Sequence, residues 1–189
     1  LSFAKLGFEL SERFDSPFLL RLSTRVSHSR SLVTLSAREE KELCEYKKDV
    51  MKNVMMPAMA RGAHVRVEER TKELTEWADT EAVRLGVNKA EYFDRKLGVI
   101  AAGTAYTYAR EALGEKASFL KLGMVNPLPV KLIKEFAQNV ERLVVIEELD
   151  PIIENHCKTL GVEVEGKSLF SVLGEFSQAT VKKALLGEE

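Results

Sequence analysis

Cysteine is scarce in this chain of 189 residues: only Cys44 and Cys157 occur, with no short spacing between them. That excludes a zinc ribbon, a C-x-x-C redox pair and an iron–sulfur ligand run within the chain, and leaves two reduced, cytosolic thiols as the plain reading. An excess of one charge is also missing. Lys plus Arg number 28 against 29 for Asp plus Glu, so an electrostatic nucleic-acid binder is not expected. No apolar run approaches the roughly 18 residues a membrane span requires, and no membrane partner is expected. H-E-x-x-H, G-x-S-x-G and Walker motifs are absent, and no nucleophile–base pair can be assembled from the order of residues. Neither an internal repeat nor a low-complexity tract is present.

What is there is the composition of a packed protein, 45% hydrophobic and 30% charged. The opening segment places Phe3, Leu6, Leu10 and Phe14 at helical spacing, so the chain reads as entering in mid-helix, as an excised piece would. Asp15-Ser16-Pro17 ends that helix, and Phe18-Leu19-Leu20-Arg21-Leu22 is a short apolar run expected as a buried strand. From Ala37 to Gly86 the chain turns rich in Lys, Glu and Arg. Ser36 with Glu39 and Glu40 suits a helix start, Pro57 an interruption, and Val65, Val67, Leu74, Trp77 and Val83 one helical face. A helical connector is expected there.

After Lys96 strands and helices alternate. Strands are expected at Leu97–Gly103, Ala117–Gly123, Arg142–Glu148 and Val162–Glu165. Helices are expected at Thr104–Leu113, 130–139, Pro151–Leu160 and Gln178–Leu186, with Gly114 and Gly161 as stops. Nearly continuous Val, Ile and Leu runs belong to strands covered on both faces. The fold class is therefore α/β, a three-layer, doubly wound parallel sheet with right-handed crossovers. The division expected is 1–33, a remnant of an upstream α/β domain; 34–95, the connector; and 96–189, the sheet domain.

Candidate site residues cluster where strands of such a sheet end. Gly103 sits at a strand-to-helix turn, where free N–H groups can meet phosphate, although the glycine fingerprint is incomplete. Gly123, Asn126, Pro127 and Pro129 belong to a rigid loop, readable as a plain connection or as an interface loop. Glu147 and Glu148 are either acid–base groups or, more simply, a helix cap and an arginine partner. Arg25 and His28 lie in a basic, hydroxyl-rich loop that suits a carboxylate or diphosphate, or plain solvent. His64 and His156 stand alone in helical contexts and read as structural.

Several runs closely resemble the α subunit of indolepyruvate:ferredoxin oxidoreductase. They are Phe8 to Phe14, Leu20 to Arg30, Val54-Met55-Met56-Pro57-Ala58 with Ala60-Arg61, and Val67-Glu68-Glu69-Arg70. Gly103 with Ala105-Tyr106, Lys121 to Val125 with Pro127-Leu128-Pro129, and Val145 to Pro151 complete the set. The resemblance implies oxidative decarboxylation of aryl pyruvates to aryl acetyl-CoA, using thiamine diphosphate, magnesium, 4Fe-4S clusters and coenzyme A. It implies as partners the remaining domains of the α subunit, a β subunit and ferredoxin, in the cytoplasm. It also implies that residues 1–33 end a pyrimidine-binding domain and that 96–189 are a transketolase C-terminal-like domain. Tyr106 joins the interface candidates, and Arg25 and His28 are candidates to face substrate or thiazolium.

The departures are equally plain. No G-D-G element for magnesium and no C-x₂-C-x₂-C run occur, and the segment that supplies the activating carboxylate in the family precedes Leu1. No catalytic residue and no metal ligand is therefore expected in the chain, which is expected to be inactive alone. Two other readings stand beside this one: a stand-alone interaction module using the Pro127–Pro129 loop, and a small nucleotide binder using Gly103. A sparse apolar face before about residue 90 predicts early proteolytic cuts there. First cuts inside 100–165 would contradict that expectation.

Overall fold

The computed structural model describes residues 1–38, 40, 42–43 and 45–187. The chain divides into two compact units, Leu1–Arg70 and Thr71–Glu189.

The first unit holds α1 (Ser2–Phe14), α2 (Thr24–His28), α3 (Val50–Asn53) and the first part of α4 (Pro57–Asp79). α1 follows its apolar period, with Leu10 and Phe14 buried. It ends at Asp15, whose φ of 46° turns the chain out of the helix. Helix ends leave carbonyls without partners. Here Arg70 Nη1 donates to the Phe14 carbonyl at 3.3 Å and the Asp15 carbonyl at 2.6 Å. Lys52 Nζ pairs with the Asp15 carboxylate at 2.7 Å.

Three expectations are corrected in this unit. Phe18–Leu22 is not a strand, and Leu19 is 96% exposed. An apolar run becomes a strand only where a neighbour takes up its backbone groups, and among the described residues of this unit no strand occurs. Ser36 does not start a helix, since Ser36, Ala37, Arg38 and Glu40 are non-helical; Glu39, named with them, lies outside the described residues, as does Cys44. Pro57 does not interrupt a helix but opens α4, where its missing N–H removes a donor that would have no partner anyway. The expected face on α4 is only partly realised: Trp77 is buried, while Val65 and Val67 are exposed.

The second unit holds the end of α4, α5 (Glu81–Arg84) and a four-stranded sheet. In chain order its elements are β1 (Lys89–Glu91), β2 (Leu97–Ala102), α6 (Gly103–Leu113), β3 (Ser118–Leu122), α7 (Lys131–Gln138), β4 (Arg142–Ile146), α8 (Ile152–Thr159) and α9 (Gln178–Leu186). The strand order is β1-β3-β2-β4. β2 pairs in parallel with β3 and β4, and β1 closes the far edge antiparallel to β3.

Alternation along the strands sends side chains to two cores. Val99, Ala101, Phe119, Val144 and Ile146 pack with Ala105, Ala109 and Leu113 of α6 and Val181 of α9. Ile100, Leu120 and Val145 pack with Ile133 and Phe136 of α7 and Ile153 and Cys157 of α8. The three-layer, doubly wound α/β class is thus observed, with one antiparallel edge. That edge, β1, lies inside the stretch 34–95 expected as a helical connector; Lys-Ala-Glu carries no strand propensity of its own and is held by pairing with β3. At the opposite edge Val162–Glu165 falls short of a strand. Only Glu165 bridges to Val144, accepting from Val145 N–H at 2.8 Å and donating to the Leu143 carbonyl at 3.0 Å.

Phe119 of β3 is fully buried in the core shared with α6, edge-on to Tyr106 with centroids 6.2 Å apart. Phe119→Ala is expected to destabilise the second unit by about 3–5 kcal/mol in urea unfolding. A loss below about 1 kcal/mol would show that this core is not what holds the sheet.

Candidate functional site

Parallel α/β sheets present ligands and partners at the carboxyl ends of their strands, where consecutive connections leave toward opposite faces. Here the connection after β2 leads to α6 on one face, and those after β3 and β4 lead to α7 and α8 on the other. The register sets Ala102 beside Leu122 and Ala101 beside Ile146. Gly103, Gly123 and Glu147 therefore stand together at one end of the sheet.

Each of these candidates has a local cause. Gly103 opens α6 with φ of 54°, a conformation that side chains resist. Gly123 approaches the turn before β1 so closely that an added Cβ would collide with the Val87 carbonyl. Its N–H and that of Met124 donate to Asn88 Oδ1 at 3.0 and 3.1 Å. Asn126 is exposed, joined by a cis peptide to the half-buried Pro127, and Pro129 is buried. The loop closes at α7, where Asp79 accepts from Val130 N–H at 3.2 Å and Leu132 N–H at 2.9 Å. Asn88 also donates from Nδ2 to the Ala78 carbonyl at 2.9 Å.

Glu147 and Glu148 diverge. The Glu147 carboxylate accepts from Ile153 N–H at 2.8 Å and Glu154 N–H at 2.9 Å, capping α8. Glu148 accepts from Phe176 N–H at 3.1 Å, and Lys167 Nζ donates to the Glu147 carbonyl. Directly after them Leu149 takes a φ of 61° and stays exposed. Tyr106 is drawn elsewhere: its hydroxyl donates to Glu91 Oε2 at 2.9 Å on β1. The hydrogen bond from Lys89 holds the Glu91 carboxyl below its usual range against the opposing pull of burial, while burial and then Glu91 push the Tyr106 phenol up. Arg25 and His28 lie on α2 in the first unit, both exposed, behind Ser23, whose hydroxyl accepts from Val26 N–H at 3.4 Å.

Sequence reasoning missed Asn88, Asp79, Glu91 and Lys167. Asp79 caps a helix 51 residues away and Asn88 reaches 35 residues along the chain, so no local pattern could flag either. Neither lone histidine faces a catalytic partner. His64 lies 3.6 Å from Glu68 one turn along α4, and His156 Nε2 is buried without a hydrogen-bond partner, its proton affinity lowered by burial. A groove of about 600 Å³, lined by Lys134, Val140, Arg142, Leu160 and Val164, opens at the opposite, amino end of β4.

The donors present do not fit the metal groups that the resemblance implies. Among the described residues no three His, Cys, Asp or Glu gather in a metal-binding cluster. Burial pushes the Cys157 thiol up to about 12, so it stays protonated, and two cysteines cannot supply the four thiolates of a cubane. What the carboxyl edge does chemically is hold backbone: its carboxylates and amides are spent on fixing loops. Among the described residues no helix is long and apolar enough to cross a membrane.

No family model matches the chain. By fold it is similar to a 2-oxoglutarate:ferredoxin oxidoreductase from Magnetococcus marinus, a structure with 2-oxoglutarate, coenzyme A and succinyl-CoA bound. The TM-score is 0.53 and the identity 14%, over 70% of this chain and 24% of that one. The fold is thus one found within a 2-oxoacid oxidoreductase. By sequence the chain is similar to indolepyruvate oxidoreductase subunit IorA. Identity is 36% with that of Methanothermobacter thermautotrophicus, over 99% of this chain and 32% of the relative. It is 34% with that of Archaeoglobus fulgidus, over 87% and 27%, and 32% with that of Thermococcus kodakarensis, over 96% and 30%. This homology places the chain in the indolepyruvate oxidoreductase subunit IorA family, and the chain spans about a third of the length of those relatives.

Glu154 offers a pH test of the structure behind this edge. Burial pushes its carboxyl up, but hydrogen bonds from Lys158 Nζ at 2.6 Å and Lys167 N–H at 2.8 Å, with both ammonium charges, bring it below its ordinary value of 4.5. A carboxyl whose folded pKa is depressed stabilises the fold above its unfolded pKa and ceases to as pH falls through the folded one. Glu154→Gln is thus expected to lower the urea midpoint at pH 7, and the gap from the parent should close below pH 4.5. A gap that persists unchanged into acid would contradict the ionic role.

Proposed function

We propose that the chain is part of the larger subunit of a thiamine diphosphate-dependent oxidoreductase that converts aryl pyruvates to aryl acetyl-CoA and passes electrons to ferredoxin. The observation that carries this reading is the 36% identity running along 99% of the chain. In this reading residues 1–33 end a pyrimidine-binding domain, 34–95 connect, and 96–189 form a transketolase C-terminal-like domain. The whole works in the cytoplasm with a β subunit and ferredoxin.

The chain's own contribution is positional. Thiamine diphosphate would supply the carbanion chemistry, magnesium would anchor its diphosphate, and 4Fe-4S clusters would carry electrons. No metal-binding cluster of His, Cys, Asp or Glu occurs among the described residues, and magnesium and the 4Fe-4S clusters are assigned to other parts of the enzyme. The loop Gly123–Val130, fixed at both ends, offers Val125 and Asn126 at the carboxyl edge, the place where such sheets meet a ligand or a neighbouring domain. Holding reacting groups in register is itself a large catalytic effect, and misplacement by about 1 Å lowers rates by roughly a hundredfold. Arg25 and His28 are assigned to the substrate or thiazolium side.

The test compares two preparations supplied with indolepyruvate, thiamine diphosphate, Mg²⁺, coenzyme A and an oxidised viologen. The chain alone is expected to reduce no viologen. The full-length subunit with its partner subunit is expected to do so and to form the aryl acetyl thioester. Turnover by the isolated chain, or a complete enzyme indifferent to aryl pyruvates, would overturn the reading.

A further inference from the structure

Two polar side chains of the second unit, Asp79 at the end of α4 and Asn88 just before β1, take the same kind of task. Asn88 has no exposed surface and makes three hydrogen bonds: one donation to Ala78 and two acceptances, from Gly123 and Met124. Asp79, the next residue after Ala78, accepts from Val130 and Leu132. Both ends of the loop that leaves β3 are thereby tied to one place, the last turn of α4. Between the ties the apex is open, with Val125 49% exposed and Asn126 exposed. Removing this buried amide would leave the buried Ala78 carbonyl and the part-buried Gly123 and Met124 N–H groups without these partners, a cost a mere connection would not need.

Resting on the function proposed above, we infer that Asn88 and Asp79 are positioning residues. They hold the Gly123–Val130 loop in one conformation, so that its apex meets an arriving reactant without first being ordered. Neither residue touches the reactant. A loop already ordered spares the reactant the entropy of ordering it. Losing a tie should therefore weaken productive binding more than it slows the bound complex.

The experiment uses the full-length subunit assembled with its partner subunit, with indolepyruvate and coenzyme A as the varied reactants. Asn88→Ala is expected to raise KM for one of them by about fivefold or more while kcat stays within about twofold. Amide exchange at Gly123 and Met124 should rise about tenfold, with Ile100 and Val145 in the sheet unchanged. Should Asn88→Ala not accumulate, Asp79→Ala frees the loop's other end and carries the same two readouts. Val125→Glu, at the exposed apex, probes the reading beneath. If it alters KM while the Asn88 and Asp79 variants do not, the positioning roles are refuted and the functional reading stands. If Val125→Glu leaves both kinetic constants unchanged, the apex meets no reactant and this inference falls, while turnover of indolepyruvate by the same preparation keeps the functional reading. Loosened exchange with unaltered KM also overturns the inference.

Discussion

β2 has strands on both edges and helices on both faces, so none of Val99, Ile100 and Ala101 meets solvent. Such a strand can satisfy its backbone only through β3 and β4, and its side chains only through the layers above and below. Both neighbours run parallel to it, and parallel neighbours require the crossover helices α6 and α7. The two crossovers start out to opposite sides of β2, which is why the second unit has two separate cores rather than one. It is also why three strand ends converge where Gly103, Gly123 and Glu147 stand.

The carboxyl edge is a place of fixed backbone rather than of reactive side chains. Glu147 is occupied by the first turn of α8, Glu148 by the turn before α9, and Asn88 and Asp79 by the loop after β3. Carboxylates committed to backbone N–H groups are poor proton shuttles but good struts. A larger enzyme that places its cofactor elsewhere needs this of a flanking region: surfaces that do not yield when a partner or reactant presses on them.

The sheet unit was largely legible because its signals are local. Runs such as Leu97–Ala102 and Arg142–Ile146 are apolar throughout, and Gly114 marks the end of α6 by its backbone alone. The first unit was less legible, since Phe18–Leu22 carries the pattern of a strand without a neighbour to make it one. β1 was invisible for the converse reason: Lys89–Glu91 has no strand character, and pairing with β3 confers it. The same holds for the site. Gly103, Gly123 and Glu147 announce themselves by residue type beside a strand end. Asn88 and Asp79 act across 35 and 51 residues, distances over which sequence order says nothing about proximity.

The close approach at Gly123 bears on how this protein can change over evolutionary time. When a side chain blocks a larger neighbour, a second substitution can shrink the blocker, and the two positions drift together. Here the obstacle to a Cβ is the main-chain oxygen of Val87, which every amino acid carries. No compensating partner exists, so lineages that keep this loop path keep a glycine at its start, and those that lose the glycine must reroute the loop.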